Sequence, residues 1–137
     1  MATRDRGSAS LELVLLTPLL LALLLLVVLG GRYAQARADV DSAARDAARA
    51  GSLERSSAAA ADAAEEAAER RLAARDIVCT DLVVDLGDTD FRPGGEVEVT
   101  VSCAVDLSDL TGLGVPSSVT FDSTFSEPID VFRGADS

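Results

Sequence analysis

From Leu11 to Gly31 the chain reads LELVLLTPLLLALLLLVVLGG, almost pure Leu and Val. As a helix rising about 1.5 Å per residue this run spans roughly 31 Å, enough to cross the hydrocarbon core of a bilayer. Two residues disturb it. Glu12 sits at its front edge, and a carboxylate facing lipid is so costly that it has to lie at the interface, be protonated or be paired. Pro18 removes one helix hydrogen bond, frees the carbonyl of Val14 and introduces a kink or a tolerated bend.

The rest of the chain sorts around this run. Residues 1–10 are short, polar and basic. Residues 32–75 are Ala-rich with strong helix propensity, and Asp41–Arg45 and Glu66–Arg70 stand at i,i+4 in the favourable order. Gly51 and Ser52 interrupt the pattern, and Ser56 or Ser57 is placed to cap a second helix. Between residues 38 and 75 sixteen positions are Ala, and the only large aliphatics are Val40, Leu53 and Leu72, so these helices bury little apolar area by themselves. Two readings stay open: a solvated spacer, or helices packed on sister subunits or on the sheet.

Charge is distributed unevenly. The net charge is −11, and residues 76–137 carry all of it, with two Arg against thirteen acids. That argues against nucleic-acid binding, since phosphates would be repelled. No His is present, which removes the commonest general base and any Ser-His-Asp site. Asp85, Asp88 and Asp90 have a suggestive cation-binding spacing, but Arg92 and Pro93 stand where an EF-hand loop needs further ligands, so a solvated turn is the better reading. The run TGLGVPSS (111–118) lacks the strand-to-helix setting of a phosphate loop. No enzyme activity, cofactor or metal is expected.

Residues 76–137 change character to Val, Thr, Asp and Gly. Three strands are expected, over 77–86, 96–107 and 119–132, with Val97, Val99, Val101, Cys103, Val105 and Leu107 on one face of the second. Pro128 puts the third at an edge or a break. A hairpin pairing Leu86 with Glu96 across the turn-rich loop 87–95 sets Cys79 directly opposite Cys103, close enough for a disulfide; the alternative is two buried thiols. A disulfide implies an oxidising, extracytoplasmic side.

A partner for Glu12 emerges if the chain is cut after Gly7. The new α-amine of Ser8 lies about 6 Å from Glu12 along the helix axis. Neighbouring helices offset by one turn would bring the amine of one subunit to the Glu of the next, so each costly group satisfies the other only in the assembled register. RDRG followed by SASLELVLLTPLLLALLLL resembles the type IV prepilin pattern. With Thr17–Leu20 (TPLL) and the later DSAARDAARAGS, residues 4 to about 52 resemble the TadE-like and TadG-like pseudopilins of tight-adherence (Flp-type) pili. The chain departs from major Flp pilins in its extra length and in Leu13, where they usually place Tyr.

The resemblance implies cleavage between Gly7 and Ser8 by a prepilin peptidase. It also implies assembly with other pilin or pseudopilin subunits on a membrane platform. The expected chain is α+β: a leader (1–7), a transmembrane and assembly helix (8–31), an Ala-rich helical region (32–75) and an acidic antiparallel sheet of about three strands (76–137). The N-terminus is expected in the cytoplasm and the sheet domain outside, possessing no partner among nucleic acids. Two alternatives are a module released by signal peptidase after Ala36 or Ala38, where A-x-A spacing occurs, and an uncleaved membrane-anchored interaction domain.

Overall fold

The computed structural model describes residues 6–106 and 118–132, with side chains from Leu13 onward. In chain order these form α1 (Arg6–Leu53), α2 (Ser57–Ala73), β1 (Cys79–Asp85), β2 (Glu96–Asp106) and β3 (Ser118–Pro128). The strands make one antiparallel sheet in the order β1-β2-β3. The fold is therefore α+β, with three strands at nearly the expected limits. Residues 107–117, which include Leu107 and most of the TGLGVPSS run, lie outside the described residues. Two units separate, Met1–Gln35 and Ala36–Ser137.

In the second unit the alanines settle the choice between spacer and packed helix. Val40, Ala43, Ala44, Ala47 and Ala48 are buried, and so is Gly51. They recur at i, i+3, i+4, i+7, i+8 and i+11, which is one face of an α-helix. Ala60, Ala64, Ala67, Ala68 and Leu72 form the corresponding face of α2. Both faces share one core with Val97, Val99, Val101 and Cys103 of β2. Small side chains let backbones approach closely: a Cβ added at Gly51 would lie 3.4 Å from the Ala60 carbonyl oxygen and 3.5 Å from a methyl of Val97. The helix runs through Gly51 and ends two residues later, and the Ser56 hydroxyl then accepts from the Ala59 N–H at 3.2 Å to cap α2.

The exit from α2 is a Schellman turn. The N–H of Ile77 donates to the Leu72 carbonyl, and the N–H of Asp76 to that of Ala73, both at 3.1 Å. Asp76 takes φ 55°, the left-handed conformation for which glycine is the usual choice. Ile77 and Leu72, the apolar pair that accompanies such a turn, both join the core.

The register of the hairpin differs from the symmetric one. Leu82, not Cys79, lies opposite Cys103, and Asp85 lies opposite Thr100. The cause is the loop. β2 runs beyond the end of β1, and Thr89 covers the difference, its hydroxyl donating to the Leu86 carbonyl and accepting from the Glu98 N–H. An odd shift of register puts Leu82 and Val84 on the buried side and would turn Cys79 outward. A bulge between Cys79 and Asp81 reverses that turn and places Cys79 opposite Val105. Thr80 anchors the bulge by donating to the Ala104 carbonyl at 3.0 Å. Cys79 thus returns to the core side, its Cα 5.3 Å from that of Cys103, and the two form a disulfide.

β3 pairs with β2 along its whole length without a shift, so Cys103 faces Phe121 and Val99 faces Phe125. It is an edge strand and ends at Pro128, as that residue requires. Ile129 continues the contact by exchanging backbone hydrogen bonds with Gly94 and Gly95. Val131 and Phe132, by contrast, lie beyond the strand and are exposed.

Replacing both cysteines by alanine should lower stability by roughly 3 kcal/mol, the chain-entropy value for a loop of this size. Asp76→Gly should raise it by about 0.5–1 kcal/mol by relieving the left-handed strain. Urea titrations of the full chain in detergent micelles, followed by circular dichroism, check both.

Candidate assembly and membrane-spanning site

Among the described residues, the first unit presents an apolar helix whose large side chains are exposed. From Leu13 to Leu29 every Leu and Val is exposed, from 44% at Leu16 to 69% at Val14 and Leu15. The exposed side chains point to all sides, which is the pattern of a helix meant for lipid or for other helices. It is long and apolar enough to cross a membrane. Within it the Thr17 hydroxyl donates to the Leu13 carbonyl at 2.7 Å, so this polar group is satisfied inside its own helix. Pro18 follows directly, and α1 remains helical on both sides of it.

Gly7, Ser8 and Glu12 all lie on the helical backbone of α1, four residues separating Ser8 from Glu12. Their side chains, and residues 1–5 of the leader, lie outside the described residues. The A-x-A positions at 34–38 also fall within α1, so a protease could reach those peptide bonds only by opening the helix. Asp39 and Val40, immediately after them, are buried in the second unit.

The second unit fastens α1 to the sheet with polar contacts as well as packing. Asp41 accepts from Arg45 Nη2 at 2.5 Å through Oδ2 and from the Ser123 hydroxyl at 2.8 Å through Oδ1. The Arg45 guanidinium in turn lies 5.5 Å from the centre of the Phe125 ring. The sequence shows Asp41–Arg45 as a helix pair; the reach to Ser123 and Phe125 of β3 needs the fold. Asp39, 5% exposed, faces Arg75 Nε at 3.6 Å. The Glu66–Arg70 pair is looser, at 3.9 Å between exposed side chains, and contributes little.

The loop acids do not converge. Asp85 accepts from the Gly87 N–H, Asp90 pairs with Arg92 at 2.8 Å, and Asp88 is exposed. Among the described residues no group of three or more His, Cys, Asp or Glu side chains is arranged to hold a metal ion.

An apolar helix long enough to cross a membrane, which fits membrane anchoring, precedes a small disulfide-bonded α+β module. Residues 7–49 match the family described as TadE-like protein. The match covers the apolar run and the first part of the Ala-rich helix, the same region in which the sequence resembles that group. No curated protein and no solved structure matches the chain.

Leu21→Arg, at the middle of the apolar run, should weaken insertion by about 3 kcal/mol. Carbonate extraction of membranes would then shift the chain toward the soluble fraction.

Proposed function

We propose that the protein is a structural pseudopilin or minor pilin that takes part in assembling a tight-adherence pilus or a related secretion apparatus, and that it is not an enzyme. The TadE-like match over residues 7–49 carries this reading. The bare apolar helix supports it, because such a helix needs lipid before assembly and neighbouring helices after it. In this reading a prepilin peptidase cuts between Gly7 and Ser8. Glu12 then pairs with the α-amine of a neighbouring subunit, and Pro18 eases packing or extraction from the bilayer. The partners are other pilin or pseudopilin subunits and the membrane assembly platform, and residues 36–137 lie outside the cytoplasm. The disulfide favours that side.

Release by signal peptidase is the less favoured alternative, since its sites at Ala36 and Ala38 lie within α1. The other alternative is an uncleaved membrane-anchored interaction domain with no pilus role. Mass spectrometry of the mature protein should give a start at Ser8 in the membrane or pilus fraction. A start at Arg37 or Asp39 in the medium would establish secretion instead, and an intact start would leave an anchor without a partner for Glu12. Glu12→Ala should insert and be cleaved yet fail to enter filaments or assembly complexes; normal incorporation of that variant would overturn the assembly role.

A further inference from the structure

The second unit carries a basic groove in a chain of net charge −11. It lies between the end of α1 and α2, has a volume of about 480 Å³, and is lined by Asp46, Arg49, Leu53, Arg70 and Arg71 with small alanines between them. Three arginines against one aspartate leave the lining at +2. These arginines are poorly neutralised. Arg49 has no ion pair among the described residues. Arg70 Nε donates to the Glu66 carbonyl at 3.3 Å and lies 3.9 Å from its carboxylate, and Arg71 Nε lies 3.7 Å from the Asp46 carboxylate. The Nε of Arg71 is buried with no hydrogen-bond acceptor, which is a costly state for a charged donor. Leu53, at the groove's edge, is 64% exposed.

The same chain carries a surface of the opposite kind. Between Asp85 and Glu98, five acids (Asp85, Asp88, Asp90, Glu96 and Glu98) stand against the single Arg92, and all five are exposed. Asp90 is paired with Arg92 of its own loop, and Glu96 accepts from Ser126. None of the five is paired with a groove arginine of its own chain. Guanidinium groups bind carboxylates in two-pronged, charge-assisted hydrogen bonds, and a groove of small residues lets a loop approach closely.

We propose that this groove receives the acidic segment 85–98 of a second copy of the chain. Donor and acceptor surfaces differ, so the contact is head-to-tail and each docked copy leaves a free groove and a free acidic segment for the next. It engages the Ala36–Ser137 unit and does not involve Glu12. Confinement of the anchored chains to one membrane raises their effective concentration, so individually weak ion pairs suffice.

The test uses the full chain in phosphatidylcholine liposomes, as a mixture of unlabelled and ¹⁵N-labelled copies with a photo-cross-linking side chain at position 53. Mass spectrometry should find hybrid adducts joining the position-53 peptide of one copy to the peptides on either side of Arg92 in the other. Arg49→Glu with Arg70→Glu should reduce their yield at least tenfold, and Asp88→Arg with Glu96→Arg in the other copy should restore it. Raising the salt should lower the wild-type yield. Adducts confined to one copy, adducts to another segment, or a yield indifferent to charge reversal would overturn the proposal. Glu12→Ala should leave the adducts in place, so loss of the Glu12 role and loss of this contact are read separately.

Discussion

The second unit depends on how closely two helix backbones can approach a row of valines. Val97, Val99 and Val101 are fully buried, and the helix faces that meet them consist mostly of alanine. Valine supplies the volume and alanine supplies the proximity. With few large side chains in the helices, burial is obtained from close packing and not from bulk, so added volume on the alanine face has little room to go. The polar fastenings, Asp41 to Ser123 and Asp39 near Arg75, tie the same helix to β3 and to the end of α2.

Much of this was legible in the residues, and the exceptions have physical causes. The apolar run, the Ser56 cap and the alternation of β2 are strong signals because each rests on local chemistry. The alanine face is not visible in the same way. Ala60 is buried while Ala58 and Ala61 are exposed, and alanine has too little hydrophobic contrast for a periodicity search to separate them. The disulfide was read correctly from an incorrect register. A symmetric loop puts the cysteines directly opposite each other; the real loop shifts the strands, and the bulge at Thr80 brings Cys79 back to the buried side. Loop geometry of this kind is set by Thr89, whose two contacts link the residue after β1 to β2.

The assembly site divides along similar lines. Its apolar character and its TadE-like segment follow from sequence and are matched by an exposed helix and by the family comparison. Thr17 is a smaller discovery of the structure: one hydroxyl, on the residue directly before Pro18, is silenced by its own backbone and leaves the surrounding surface apolar. The two units have opposite habits. From Leu13 to Leu29 the large side chains are on the outside, while the second unit buries Val40, Val97, Val99 and Val101 and exposes most of its described carboxylates.

The bridge between Cys79 and Cys103, 24 positions apart, makes the first hairpin a covalent ring. The stretch from Gly87 to Gly94, exposed except at Thr89 and Phe91, is inside that ring. If an extracellular protease nicked it, the two fragments would remain joined through sulfur, and β2 would keep its pairing with both neighbours. Under oxidising conditions this loop is therefore the one described connection between strands whose peptide continuity the fold can lose without losing a strand.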